Sequence, residues 1–457
     1  MNLPRRGRPR RQSAAADRFQ RPAQVIATAF GTAILIGTVL LSLPVATESR
    51  TGAGLIDAVF TATSAVCING LIIVDTGGHW STFGEVVIIG LVQAGGLGIM
   101  TLATLFAVVM SGRLGLRARL LAQAETRALG LADLRRVIRN IVVFSLACET
   151  VVAIVLAVRF MTAYGKSPGA AIYDGVFHAI SAFNNSGFSL NADNLMRFVA
   201  DPWVSLTIAI AFIVGGLGFP VVFELARSWR RPASWSVLTR ITLVVTGVLL
   251  VVGTIMLTLT EFSNPKTLGP LSGPEKILAG FFAAATPRTA GFNTIDVAAM
   301  RPESWLATDA LMFIGGGSAS TAGGIKVTTF GLLAFVIWAE MRGEPRVNVG
   351  RRSIPEANQR QALAVALLGV GMVAVATFTL LHLTAAGSDR VLFEAVSALS
   401  TVGLSTGITA DLPPAGHLLI AVLMFVGRIG PLTVASALAL RERARRFELP
   451  EERTIVG

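Results

Sequence analysis

Long apolar runs limit what this chain can fold into. Val25–Leu43 and Ile241–Leu259 are two of them. An α-helix needs roughly 20 apolar residues to cross the hydrocarbon core of a bilayer, which is about 30 Å thick. Apolar residues make up 53% of the chain and charged residues only 14%, as expected if much of the surface faces lipid. The sequence therefore predicts an all-α membrane protein that is embedded in the lipid bilayer and has the bilayer as a partner.

Eight full crossings and four shorter apolar segments are predicted. The crossings lie near residues 23–44, 83–111, 138–162, 203–226, 238–260, 304–338, 361–384 and 416–440. Between the two crossings of each successive pair lies a shorter apolar segment of about 10 to 13 residues, which is too short to cross the membrane. A glycine-containing turn follows each of these segments. We interpret each short segment as a re-entrant half-helix.

The arginines predict the orientation in the membrane. They cluster in the amino-terminal arm and in residues 113–139, 227–240, 342–360 and 441–453. Basic residues concentrate on the cytoplasmic side, so both termini are predicted to be cytoplasmic in a multi-pass protein of the cell (inner) membrane. Topology also explains the net charge of +12, and no nucleic-acid partner is expected.

The four short segments are copies of one pattern. They are FTATSAVCING at 60–70, FHAISAFNNSG at 177–187, FFAAATPRTAG at 281–291 and FEAVSALSTVG at 393–403. Each begins with Phe, has Ala two places later and ends with Gly. The pattern indicates a repeated unit of helix, half-helix and helix.

The repeats and the basic loops divide the chain into six predicted regions. These are a cytoplasmic basic arm (1–22), repeat 1 (23–112), a cytoplasmic loop with repeat 2 (113–232), repeat 3 (233–340), a cytoplasmic loop with repeat 4 (341–440) and a cytoplasmic tail (441–457).

Half-helices that end inside the membrane favour a cation pore. Each one directs its unsatisfied carbonyl groups and the negative end of its dipole at what lies beyond. Glycine lets the chain turn without a side chain in the way. Four such turns around a pseudo-fourfold axis would present rings of carbonyl oxygens that replace the hydration shell of a monovalent cation. The alternative is four ordinary buried helix ends capped by glycine, but the matching phase favours a pore.

The candidate selectivity filter consists of the last residues of the four turns. They are Cys67, Ile68, Asn69 and Gly70; Asn185, Ser186 and Gly187; Thr289, Ala290 and Gly291; and Thr401, Val402 and Gly403. Arg288 is expected to be turned behind the filter, since in the lumen it would repel cations.

A glycine-rich stretch interrupts the predicted crossing at 304–338. Its residues are Gly315, Gly316, Gly317, Ser318, Ala319, Ser320, Thr321, Ala322, Gly323 and Gly324. Small, flexible residues at membrane depth indicate a mobile gate loop beneath the filter, with Lys326 near it as an electrostatic plug. The alternative is a helix kink for close packing, with Lys326 reaching the cytoplasmic interface.

Arg428 lies in the middle of the last predicted crossing. A charge there costs at least ~2.5 kcal/mol on insertion scales, so it needs a compensating role. We expect it at the cytoplasmic side of the filter, as a barrier to cation flow paired with a loop carbonyl or carboxylate. The alternative is a structural ion pair with Glu149 or Glu224.

These features resemble the Trk/Ktr/HKT superfamily of potassium transporters, and most of all its Ktr-type membrane subunit. The likeness runs from about residue 23 to 445 and includes the four-glycine repeat, the loop IGGGSASTAGGIK at 314–326 and the segment FVGRIGPLT at 425–433. It implies potassium uptake, with K+ bound at the filter carbonyls. Asn69 stands where many Ktr-type subunits have Thr, so a sodium-permeable or poorly selective cation transporter is the alternative.

The resemblance also implies partners that these residues do not themselves predict. They are a second copy of the chain in a homodimer and a separate cytoplasmic ring of nucleotide-binding regulatory subunits. No covalent cofactor is expected, and Na+ as a coupling ion is left open. No enzyme motif is present, so the chain is not predicted to be an enzyme. A secondary transporter for an organic solute is a remote alternative, because it favours two inverted halves.

Overall fold

The computed structural model describes residues 22–112, 131–349 and 352–430. The predicted basic arm, apart from Pro22, and the predicted cytoplasmic tail lie outside these ranges. So do residues 431–440, which end the last predicted crossing, and residues 113–130, which hold most of one basic loop.

The described chain is almost entirely helical. Its α-helices are α1 (Pro22–Leu41), α2 (Leu55–Val66), α3 (Thr76–His79), α4 (Thr82–Gly112), α5 (Leu131–Tyr164), α6 (Pro168–Phe183), α7 (Pro202–Leu217), α8 (Phe219–Ser228), α9 (Val237–Glu261), α10 (Gly273–Ala285), α11 (Pro302–Phe313), α12 (Val327–Met341), α13 (Glu356–Leu383), α14 (Ser388–Ser400) and α15 (Pro414–Ile429). Single 3-10 turns lie at Pro44–Ala46, Met196–Phe198, Pro232–Ser234 and Val297–Ala299. Strands β1 (Asn348–Val349) and β2 (Arg352–Ser353) form a small antiparallel hairpin.

Helix starts follow from local capping chemistry. The Asp201 carboxylate accepts hydrogen bonds from the backbone N–H groups of Trp203 and Val204 at the start of α7. Ser272 and Glu275 form a capping box at the start of α10. Such side chains satisfy N–H groups that the first turn of a helix leaves unpaired.

Four short helices lie at regular intervals along the chain. They are α2, α6, α10 and α14, and each packs against the long helix that precedes it. α15 packs against both α14 and α2, so the last quarter of the chain meets the first. This closure brings the ends of the four short helices to one region of the molecule.

By length and composition, four described helices could each cross a membrane alone. These stretches are Gln24–Leu41, Arg136–Tyr164, Val237–Glu261 and Glu356–Leu383. Large apolar side chains on their outer faces are exposed, including Leu35, Val244 and Phe378. The eight predicted crossings remain a prediction, because α11, α12 and α15 are each too short to cross alone and α7 and α8 form a bent pair.

Two predicted crossings are broken helices. The one near 203–226 consists of α7 and α8, which meet at an angle of 100°. Gly218 lies at the bend with φ 95°, a left-handed conformation that favours glycine. The one near 304–338 stops at Phe313 and resumes at Val327, with the glycine-rich stretch between.

Candidate functional site

The four glycines that end the repeated segments form a closed ring. A Cβ placed on Gly70 would lie 2.1 Å from the Ser186 carbonyl oxygen, and one on Gly187 would lie 2.8 Å from the Gly291 Cα. A Cβ on Gly291 would lie 2.4 Å from the Val402 oxygen, and one on Gly403 would lie 2.0 Å from the Asn69 oxygen. Each turn therefore contacts the next so closely that only glycine fits.

The four turns share one backbone conformation. The glycines have φ of 90°, 73°, 74° and 94° in chain order. Two residues before each glycine, a non-glycine residue is also left-handed, and these residues are Ile68, Asn185, Thr289 and Thr401. A left-handed conformation costs a non-glycine residue roughly 1–2 kcal/mol. Its recurrence at four matching positions means that the surrounding contacts hold all four turns in one shape.

A hydroxyl group in each short helix, or directly after it in the case of Thr286, braces the turn that follows. The Ser64 hydroxyl donates to the Leu71 carbonyl oxygen at 2.8 Å and accepts from the Gly70 N–H at 3.0 Å. The Ser181 hydroxyl donates to the Phe188 oxygen at 2.7 Å, and the Thr286 hydroxyl donates to the Phe292 oxygen at 2.5 Å. In the fourth turn, the Gly403 N–H donates to the Ser397 hydroxyl at 3.1 Å.

The sequence analysis missed these four hydroxyl residues. Ser64, Ser181 and Ser397 each lie six places before a ring glycine, and Thr286 lies five places before Gly291. Their recurrence at nearly one offset is the signal that would have found them.

The candidate filter residues otherwise lie at or beside this ring. Cys67 is the buried residue that follows α2. The Asn69 side chain turns away from the ring, because its amide donates to the Ala398 oxygen at 3.1 Å at the end of α14. Ser186, Ala290 and Val402 are buried and contribute the backbone that the ring glycines approach.

Glycines also let neighbouring helices approach the ends of the short helices. A Cβ on Gly95 would lie 2.1 Å from the Val66 oxygen, and one on Gly215 would lie 2.0 Å from the Phe183 oxygen. A Cβ on Gly427 would lie 1.8 Å from the Leu399 oxygen. The two GGLG sequences, at 95–98 and 215–218, therefore include glycines at tight helix contacts.

A cavity of about 350 Å³ opens on one side of the ring. All four ring glycines line it, together with the loops that follow them. Asp75, Asp193 and Asp296 are among its lining residues, although Asp193 pairs with Arg197. The space is large enough for several water molecules or hydrated cations to lie next to the ring.

The glycine-rich stretch 315–324 contacts the second and fourth turns. The Thr321 hydroxyl donates to the Asn185 side-chain oxygen at 2.8 Å, and a Cβ on Gly323 would lie 1.8 Å from the Thr401 hydroxyl oxygen. The Gly317 N–H donates to the Gly216 oxygen at 2.7 Å. The stretch is thus a hydrogen-bonded loop beside the ring, with no helical turn of its own.

Other residues of this loop hold its shape. Ala319 is left-handed, with φ 55°. The Ser320 hydroxyl donates to the Gly317 oxygen at 2.7 Å, and the Ser318 hydroxyl lies 2.9 Å from that of Thr328. The Lys326 ammonium donates to the Ala322 oxygen at 2.6 Å. Gly315 and Gly324 lie side by side where the loop enters and leaves, and Gly316 packs on Ala322.

Arg428 is bound to the same loop. It is 5% exposed, and its guanidinium donates to the Thr321 carbonyl oxygen. The two carboxylates considered as its ion-pair partners lie elsewhere: Glu149 binds Gln93 and Asn184, while Glu224 binds Ser236 and Thr239. The loop carbonyl is therefore the partner that the structure gives to Arg428.

Arg288 points away from the ring, as expected. Its guanidinium donates to the Thr246 carbonyl oxygen at 3.3 Å and to the Thr246 hydroxyl at 3.1 Å, on the long helix α9. The third turn therefore carries an arginine without placing its charge at the glycine ring.

Comparison with known proteins identifies the family. A family model described as TrkH, cation transport protein, matches residues 6–448. The chain belongs to the TrkH family. It is accordingly a membrane protein, and its apolar helices are those of a cation transporter.

Three named relatives match nearly the whole length of this TrkH-family chain. It is 43% identical to the Ktr system potassium uptake protein B of Bacillus subtilis, covering 95% of this chain and 97% of the relative. It is 39% identical to the protein of the same name from Vibrio alginolyticus, covering 95% and 94%. It is 35% identical to the potassium/sodium uptake protein NtpJ of Enterococcus hirae, covering 95% and 97%.

A solved structure has the same fold. The crystal structure of the potassium transporter TrkH from Vibrio parahaemolyticus matches with a TM-score of 0.72, covering 95% of this chain and 87% of that one. The two sequences are only 18% identical, so the match shows the fold alone.

Proposed function

We propose that this TrkH-family protein takes up potassium ions across the cell membrane through a filter made of the four glycine turns. The observation that carries the proposal is the closed ring of Gly70, Gly187, Gly291 and Gly403, next to a cavity that can hold hydrated cations. Backbone carbonyls in such turns replace the hydration shell of a dehydrated ion. The names of the two Ktr relatives, both potassium uptake proteins, support K+ as that ion.

The proposed architecture has four units of helix, pore helix and helix around a pseudo-fourfold pore. In this proposal the short helices α2, α6, α10 and α14 are re-entrant, and eight crossings place both termini in the cytoplasm. The packing of α15 against α2 supports a closed arrangement of the four units. The arginine-rich loops support the orientation.

The loop 315–324 is the proposed gate, and Arg428 is the proposed barrier next to it. Support comes from the contacts of Thr321, which join the loop to the second turn and to α15. In this proposal the loop closes the side of the ring opposite the cavity. Conduction would require it to move, which its glycines permit.

Sodium permeation is the second candidate function, and one relative favours it. NtpJ of Enterococcus hirae is named a potassium/sodium uptake protein. The Asn69 side chain is anchored to α14 and away from the ring, so the first turn can offer carbonyl oxygens as the other turns do. This geometry supports potassium selectivity despite the asparagine. Na+ as a coupling ion and uptake driven by potential alone are both compatible with it.

A homodimer with a cytoplasmic nucleotide-binding regulatory ring is the proposed assembly. Two relatives are named as components of a Ktr system, which supports a membrane subunit that works with others. The basic cytoplasmic loops are the proposed contact region.

Flux through the purified full chain tests this function. Protein in liposomes is given an imposed potential, and K+, Rb+ and Na+ fluxes are compared with those of protein-free liposomes. We expect K+ and Rb+ flux above that of Na+. Equal K+ and Na+ flux would favour the second candidate, and no flux of any of the three ions would contradict both. Growth of a potassium-uptake-deficient bacterium on low potassium provides an independent readout.

A further inference from the structure

A carboxylate is buried behind the second filter turn. Glu149 lies on the long helix α5 and is 5% exposed. Its Oε1 accepts from the Asn184 amide at 3.2 Å, and the Gln93 amide of α4 donates to Oε1 at 3.1 Å and to Oε2 at 3.2 Å. Asn184 is the residue that follows α6, at the start of the second turn. The cluster joins two long helices to the candidate filter.

The partners of Glu149 suit an ionised carboxylate. All the groups that contact its two oxygens are N–H donors, whereas a protonated carboxyl group would also need an acceptor. The nearby Gln93 oxygen already accepts from the Asn184 amide at 2.7 Å. These donors stabilise the ionised form of Glu149, whereas its burial opposes that form.

No cation in the described parts of the chain compensates this charge. The ion pairs formed by residues 22–112, 131–349 and 352–430 join Arg159 to Asp201, Lys166 to Asp174 and Arg197 to Asp193. A charge within a membrane protein is costly unless another charge or a set of hydrogen bonds stabilises it. The two amides supply only part of that stabilisation.

The second turn lies close to the carboxylate. Asn184 precedes Gly187 by three residues, and three residues span at most about 11 Å. The Asn184 side chain is held tightly on its other side, since a Cβ on Gly96 would lie 1.9 Å from its amide oxygen. A shift of Glu149 would therefore reach the filter through Asn184.

We propose that Glu149 is a positioning residue for the filter: its negative charge compensates the cation there, and its contact with Asn184 positions the second turn. This inference rests on the proposed function, because it requires a cation at the glycine ring. Opposite charges about 10 Å apart at an effective dielectric constant of about 20 attract strongly enough to change an affinity roughly tenfold. Removing the charge therefore weakens cation binding without blocking the pore.

The Glu149→Gln variant tests the charge. It retains the size of the side chain and an acceptor oxygen. In liposomes with an imposed potential, we expect the half-saturating K+ concentration to rise by roughly tenfold relative to the unsubstituted chain.

Glu261→Gln is the matched control. Glu261 is also a buried carboxylate that accepts only from donors, among them Thr267 at 2.6 Å and Ser304 at 2.5 Å, but it lies at the end of α9. We expect its substitution to leave the half-saturating concentration unchanged.

A charge-swap variant separates the charge from the packing. Adding Gln93→Glu to Glu149→Gln moves the carboxylate to the neighbouring side chain, which already lies 2.7 Å from the Asn184 amide. We expect most of the lost K+ affinity to return. A purely structural role would make the double variant at least as impaired as Glu149→Gln.

The outcomes distinguish this inference from the proposed function. Absence of saturable K+ flux in the unsubstituted chain would overturn both. Saturable flux with the same half-saturating concentration in Glu149→Gln would overturn this inference alone. If Glu149→Gln is not recovered folded, the double variant carries the test: K+ affinity close to that of the unsubstituted chain supports the inference, and a tenfold loss or failure to fold overturns it.

Discussion

The Thr321 hydroxyl lies 2.8 Å from the side-chain oxygen of Asn185 and donates a hydrogen bond to it. The carbonyl oxygen of the same threonine accepts from Arg428. One residue of the glycine-rich loop is therefore bound both to the second filter turn and to the last described helix. The loop and the second turn therefore cannot move apart without losing or stretching this contact.

Loss of the Thr321 hydroxyl should open the loop more often. A hydrogen bond contributes about 1 kcal/mol net, which corresponds to roughly a fivefold change in an equilibrium between closed and open loop. We expect Thr321→Val to raise Rb+ flux into liposomes by about that factor. Thr321→Ser keeps the hydroxyl and is the control, with flux close to that of the unsubstituted chain. Unchanged flux in Thr321→Val would contradict a role for this hydrogen bond in holding the loop closed.

Two buried arginines give a paired test of the barrier. Arg428 binds the loop, whereas Arg288 binds Thr246 on α9, and both are less than a tenth exposed. We expect Arg428→Gln to increase K+ flux, because it removes both a positive charge near the ion path and a bond that holds the loop. Arg288→Gln should lower thermal stability and leave the flux per folded protein unchanged. Equal flux in the two variants would show that Arg428 is only structural.

The glycine turns could be predicted because each one is encoded locally. A half-helix, a left-handed turn and a closely approached backbone need Phe, Ala and Gly at fixed spacing, and all four copies retain this pattern. The break before Gly315 was equally local, since five glycines within ten residues disfavour a helix. The cost of burying its charge also predicted a partner for Arg428, either a loop carbonyl or a carboxylate, and the structure gives it the Thr321 carbonyl.

Contacts between distant segments could not be predicted in this way. Gln93, Glu149 and Asn184 lie far apart in sequence, and each alone looks like an ordinary polar residue. The bend at Gly218 depends on the glycine-rich loop, because a Cβ there would lie 2.4 Å from the Ser318 oxygen. Pro220, two residues later, was a local signal for this bend that the sequence analysis did not use.

The hydroxyl braces should affect selectivity more than stability. Ser64 makes two hydrogen bonds across the first turn, so its loss leaves the Gly70 N–H and the Leu71 oxygen without a partner. We expect Ser64→Ala to lower the ratio of K+ to Na+ flux severalfold, because a looser turn fits both ions. Ser145→Ala is the control, since Ser145 is also fully buried but its hydroxyl makes no hydrogen bond within the described residues. A K+ to Na+ ratio that falls equally in both variants would argue against the brace.

Gly70 and Gly407 offer the sharpest test of the ring. Their φ values are 90° and 91°, so an alanine suffers a similar conformational cost of roughly 1–2 kcal/mol at either position. The surroundings differ: a Cβ on Gly70 would lie 2.1 Å from the Ser186 oxygen, whereas one on Gly407 would have no atom within 4 Å. We expect Gly70→Ala to abolish selective K+ flux and Gly407→Ala to retain it, with similar flux per folded protein to the unsubstituted chain. Since backbone strain is matched, the difference isolates the contact between the first and second turns. Selective flux surviving in Gly70→Ala would mean that the four glycines do not form the ion path.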